Sequence, residues 1–115
     1  MALFTALIVE DDSLQREVMA DVLKRDGLEV IECTTAEAAE LVLATTGLEL
    51  RALVTDVHLD GEMTGIELAE YAREKYPALN VIVMSGREIP SLPRDTQFLQ
   101  KPFRLAELLQ AVNSR

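Results

Sequence analysis

Short apolar runs alternate along this chain with longer stretches in which apolar residues recur every third or fourth position. The runs are Ala6-Leu-Ile-Val9, Leu28-Glu-Val-Ile31, Ala52-Leu-Val-Thr55, Val81-Ile-Val-Met84 and Gln97-Phe-Leu99. All but the last are rich in β-branched residues or leucine, as strands of a parallel sheet buried on both faces are. Between the first two runs, Leu14, Val18 and Val22, with Met19 and Leu23, repeat at helical spacing. Asp12 with Gln15 opens that helix and Gly27 closes it. Thr34 with Glu37 opens a second helical stretch through Leu41, Val42 and Ala44 to Gly47. Thr64 with Glu67 opens a third, through Leu68, Ala69 and Ala72 before Pro77. Leu105, Leu108, Leu109 and Val112 form a last apolar stripe. The stretch between Ser85 and Phe98 breaks the pattern, because Pro90 and Pro93 are spaced to interrupt any helix longer than about a turn. An irregular segment or a very short helix is expected there. Strands alternating with helices in this way predict an α/β fold, a three-layer αβα sandwich of five strands and four or five helices.

Composition narrows the picture. With 115 residues, 49% of them hydrophobic, residues 1–115 are read as one domain with one core. Aromatic residues make up 4% and tryptophan is absent, which predicts an aliphatic core and argues against a stacking platform for bases. A formal charge of −9 opposes a phosphate backbone, so no direct nucleic-acid partner is expected. Cys33 is the only cysteine and cannot close an internal disulfide; its apolar setting reads as a core position. The N-terminal apolar run ends at Glu10-Asp11-Asp12, with no basic flank before it and no small-residue cleavage pattern after it. No stretch reaches membrane-spanning length, so a cytoplasmic protein without membrane insertion is expected.

Candidate chemistry sits at the strand ends. Ligands of an open parallel sheet collect at the carboxyl ends of its strands, and here those ends are polar. Glu10-Asp11-Asp12 follow the first strand, Asp56 the third and Ser85-Gly86 the fourth, while the fifth leads into Lys101-Pro102. Carboxylates gathered closely need a cation or protons to be tolerated. Oxygen donors of this kind suit Mg²⁺, and a lone histidine, His58, argues against Zn²⁺. Lys101 could pair with Asp56 at rest and with a phosphoryl oxygen later, and Ser85 offers a hydroxyl to the same oxygens. A carboxylate nucleophile so placed can form an acyl phosphate. Each residue alone has a plainer reading: Asp56 as a strand-end aspartate, Ser85-Gly86 as a turn pair, Lys101 as a solvated charge. Their order, acidic pair, Asp, Ser, Lys-Pro, each after an apolar strand, is what points to a site.

Carried by Leu7-Ile-Val-Glu-Asp-Asp12, Val54-Thr-Asp56, Val83-Met-Ser-Gly86 and Phe98-Leu-Gln-Lys-Pro-Phe103, the sequence resembles the receiver domains of two-component response regulators over essentially its whole length. The resemblance implies a flavodoxin-like sheet of order 2-1-3-4-5. It implies Asp56 as phosphoacceptor, Asp11 as a direct Mg²⁺ ligand, Glu10 as companion acid and the His58 backbone carbonyl as a further ligand, with Asp12 a more distant third acid. Ser85 becomes the switch hydroxyl, Phe98 the rotating aromatic and Lys101 the phosphate partner, with a cis Lys101–Pro102 bond. A histidine kinase or histidine phosphotransfer protein would be the donor and another protein the downstream target, in a signalling domain rather than an enzyme. Two departures stand out. The loop after Asp56 lacks the usual Met-Pro pair and is one residue longer before Gly65, and the segment with Pro90 and Pro93 is shorter than the family's fourth helix. Two alternatives are open. A Mg²⁺-dependent phosphohydrolase with an Asp nucleophile would want a second acid where His58 stands. A receiver-like interaction module without phosphorylation would have no need of Asp11, Asp56, Ser85 and Lys101 together.

Overall fold

The structure is a computed structural model that describes residues 5–114; the start of the N-terminal apolar run lies outside the described residues. Five strands form one parallel sheet: β1 (Thr5–Val9), β2 (Glu29–Cys33), β3 (Leu50–Asp56), β4 (Asn80–Ser85) and β5 (Thr96–Gln100), in the order β2-β1-β3-β4-β5. The helices are α1 (Ser13–Arg25), α2 (Ala36–Thr46), α3 (Gly65–Lys75) and α4 (Leu105–Val112). A 3₁₀ turn at Gly47–Glu49 leads from α2 into β3.

Alternation along the strands sorts the core into two layers. Leu7, Val9, Leu53, Val81 and Val83 face α2 and α3, where Ala39, Leu43, Leu68 and Ala72 meet them. Ala6, Ile8, Val54, Ile82 and Met84 face the other way, onto Met19, Leu23, Leu108 and Val112 of α1 and α4. Burying each of the larger aliphatic chains contributes about 1.5–3 kcal/mol. Such burial on both faces explains why the central strands read as unbroken apolar runs.

The helix ends follow local chemistry. Asp12 caps α1 by accepting the Gln15 N–H at 2.9 Å. At the other end the Gly27 N–H donates to Lys24 O and the Leu28 N–H to Leu23 O, with Gly27 at φ +93. This double closure is available because glycine tolerates positive φ. Thr64 and Glu67 form a reciprocal capping box at the start of α3.

One expectation changes. The cap of α2 is Thr35, whose hydroxyl accepts the Ala38 N–H, rather than Thr34. That one-residue shift puts Ala36, Ala39 and Leu43 on the core face and leaves Leu41 71% exposed. On α1 the buried stripe is Met19, Ala20 and Leu23, while Leu14 and Val18 stay exposed beside the polar edge of the sheet. Residues 86–95 form bends and a turn with no helix, the irregular segment expected from their two prolines.

Candidate functional site

Backbone hydrogen bonds carry the ladders past the strand ends and gather the polar residues at one edge. Glu10 N–H donates to Cys33 O, Val57 N–H to Met84 O, and Lys101 N–H to Ser85 O at 2.8 Å. Asp56 sits opposite Met84 and Ser85 opposite Gln100 in the sheet register. The Arg16 guanidinium holds the Glu10 carbonyl at 2.9 Å, fixing the chain where β1 turns into α1.

Glu10, Asp11 and Asp56 converge so that one carboxylate oxygen from each lies within 4.8 Å of the others. Glu10 is 1% exposed and Asp56 9%, whereas Asp11 is half-buried and open to solvent. Lys101 reaches into this group: its Nζ donates to Glu10 Oε1 at 2.8 Å, to Asp56 Oδ2 at 3.0 Å and to Gln15 Oε1 at 3.0 Å. Glu10 Oε2 accepts the Asp12 N–H at 3.2 Å, so both its oxygens are engaged. Burial nevertheless raises the Glu10 carboxyl above its ordinary range, against the lowering effect of Lys101. For Lys101, desolvation pulls the pKa down, but hydrogen bonds to Glu10 and Asp56 outweigh it and hold the ammonium above its ordinary range.

The other predicted residues are placed as follows. The Ser85 side chain is fully buried, and its hydroxyl accepts the Arg87 N–H at 3.1 Å. The turn at Gly86 brings that N–H within reach. Phe98 is half-buried in β5 and borders a shallow depression with Ile89, Pro90 and Leu92. The His58 side chain is exposed in the loop after β3. Asp12 stands apart from the acidic group, its side chain used as the α1 cap. The Lys101–Pro102 bond is cis.

Sequence reasoning missed two residues at this edge. The sequence pattern marks Gln15 only as part of helix initiation, yet it is the third acceptor for Lys101. Its position one turn into α1, directly above the end of β1, was the available signal. The sequence pattern pairs Glu37 with Thr34 at a helix start, yet its carboxylate accepts the N–H groups of Glu62 and Met63 in the loop after β3. No local pattern reports a contact between residues that far apart in the chain.

Residues 6–113 match the family model of the response regulator receiver domain. The chain belongs to that family. As a receiver domain it is the phosphoacceptor signalling domain of a two-component system, a class that is generally non-enzymatic. Among curated relatives it is 32% identical to the response regulator receiver protein CpdR of Brucella abortus, over 92% of this chain and 91% of that one. It is 35% identical to the response regulator FleR of Pseudomonas aeruginosa, covering 92% of this chain but only 23% of FleR. The chain thus spans nearly all of one relative and a small part of the other. A solved response regulator receiver protein from Sinorhizobium medicae superposes with a TM-score of 0.90 at 25% identity, covering 97% of this chain and 93% of that one. The receiver domain of the hybrid histidine kinase CckA superposes with a TM-score of 0.83 at 29% identity, covering 96% of each chain.

Proposed function

We propose that Asp56 is the residue of this receiver that takes the phosphoryl group, from a phosphohistidine of a kinase or a histidine phosphotransfer protein. The supporting observation is the group of three carboxylates at the sheet edge, two of which, Glu10 and Asp56, hold the Lys101 ammonium. Three carboxylates against one lysine leave an excess of two negative charges, which a divalent cation would balance. The donors are all oxygens, so the set fits Mg²⁺. Glu10, Asp11, Asp56 and the His58 carbonyl would hold it, and a bound Mg²⁺ would neutralise charge on the transferring phosphoryl oxygens.

The chain's own residues do the rest. An Asp56 carboxylate oxygen forms the new O–P bond as the donor's N–P bond breaks, and the donor imidazole takes up a proton. Lys101, already seated on Asp56, neutralises the incoming phosphoryl charge. Ser85 would exchange its contact with the Arg87 N–H for a phosphoryl oxygen, drawing on residues 86–95 and letting Phe98 settle inward. The chain is thus a switch that binds a downstream protein, and not a phosphatase turning over small substrates. Its localisation would be cytoplasmic; no described helix is long and apolar enough to cross a membrane. The donor would dock beside the site on the exposed Leu14 and Val18, which border a groove with Phe103 and Leu105 adjoining Lys101 and Gln15.

Incubation with acetyl phosphate and Mg²⁺, read by intact mass, tests the assignment. The unsubstituted protein is expected to gain the mass of one phosphoryl group only with the metal present, and Asp56→Asn to gain none. Equal labelling of Asp56→Asn would refute it.

A further inference from the structure

The loop at residues 57–64 carries the His58 carbonyl, and its shape is set by carboxylates from outside it. Glu37, in the first turn of α2, directs Oε2 at the N–H groups of Glu62, at 2.9 Å, and Met63, at 3.1 Å. Gly61 lies flat against the same carboxylate: a Cβ there would stand 2.8 Å from Glu37 Oε1, on a backbone at φ +99. On the other side of that glycine, the Asp60 N–H donates to Asp11 Oδ2 at 3.2 Å. Asp60 also bridges to Thr35, the cap of α2, in the manner of a short parallel ladder. One short stretch of backbone is therefore pulled toward α2 at Glu62 and Met63 and toward the acidic group at Asp60.

We propose that Glu37 is a positioning residue for the phosphorylation site. It fixes the loop so that the Asp60 N–H aims the Asp11 carboxylate and the His58 carbonyl is presented to the cation. This rests on the Mg²⁺-dependent reading above. A plainer role, an acid in the first turn complementing the helix dipole, would not require the side chain to reach across to another loop. The Glu37 carboxyl is held below its ordinary range, first by its own N–H and then by those of Glu62 and Met63, so the acceptor is charged at neutral pH. Charged acceptors orient their donors more strongly than neutral ones.

The test compares the unsubstituted chain with Glu37→Ala and Glu37→Gln, the latter keeping one carbonyl oxygen as acceptor. Amide exchange is followed by NMR without metal, and acetyl phosphate labelling is followed across a Mg²⁺ titration. Glu37→Ala is expected to speed exchange at Asp60 as well as at Glu62 and Met63, and to raise the half-saturating Mg²⁺ concentration about tenfold. The labelling rate at saturating Mg²⁺ should be preserved, and Glu37→Gln should fall between the two. A half-saturation in Glu37→Ala within about twofold of the unsubstituted value removes the role of Glu37 and leaves the site reading intact. Glutamine as damaging as alanine, in step with a lowered melting temperature, reduces Glu37 to a structural residue and also removes the role. If the unsubstituted chain takes no phosphoryl group at any Mg²⁺ concentration, the reading of the site falls and this inference falls with it.

Discussion

Two connections leave the same edge of the sheet, residues 57–64 after β3 and residues 86–95 after β4, and they are held by different means. The first is latched along its length by carboxylates from other elements, Asp11 on Asp60 and Glu37 on Glu62 and Met63. The second is tied at its two ends, by Arg87 N–H on Ser85 Oγ and by the buried Arg73 guanidinium on Asp95 O, while Ile89 and Leu92 between them rest on core side chains. Directional hydrogen bonds to charged acceptors fix a backbone; apolar contacts alone let it slide. On the proposed reading, one side of the site would hold a cation in place and the other would move once Asp56 carries a phosphoryl group.

That contrast can be broken from the fixed side first. Gly65 has no room for a side chain, because a Cβ would collide with the Asp56 carbonyl. Gly65→Ala is expected to destabilise the fold by about 3 kcal/mol in urea unfolding, with loss of phosphorylation. Lys101→Ala comes next. It leaves the buried Glu10 carboxylate without its ammonium and should cost about 1–3 kcal/mol at neutral pH while the chain still folds. Glu10 already has a folded pKa raised above 4.5, so the folded state binds the extra proton more readily than the unfolded one. The deficit of Lys101→Ala should therefore shrink as pH falls toward 4.5, and thermal melts from pH 7.5 downward check the sign. A deficit that grows on acidification would contradict it.

Paired glycine substitutions sharpen the contrast further. Gly61→Ala imposes a side chain at φ +99 and presses it on Glu37, and should cost about 1–2 kcal/mol and loosen the Glu62 and Met63 amides. Gly86 has open space around its Cβ position and no positive φ, so Gly86→Ala should stay within about 0.5 kcal/mol of the parent. Equal costs at the two positions would mean that the loops are equally constrained.

Much of this was legible in the residues. The central strands could be read because a parallel sheet buried on both faces needs continuous apolar runs, and the site because those runs end abruptly in Glu10-Asp11, Asp56, Ser85 and Lys101. The Thr64–Glu67 box was legible because both partners are local. What escaped is what depends on distant partners. Thr34 and Thr35 present the same chemistry one residue apart, and Glu37 three residues after Thr34 imitated a capping box while its carboxylate was bound to another loop. Helical spacing also cannot tell an apolar stripe that packs inward from one left at a functional edge, so it marks α1 without showing that Leu14 and Val18 stay exposed.

Peptide-resolved hydrogen exchange with and without Mg²⁺ and acetyl phosphate is the most direct measurement. The phosphoryl mass should appear on the peptide that bears Asp56. Residues 57–64 should exchange slowly in both states, while residues 86–95 exchange fast at rest and slow down once the phosphoryl group is present. A phosphoryl mass on any other peptide, or slowing confined to residues 57–64, would contradict the division of this edge into a fixed half and a moving half.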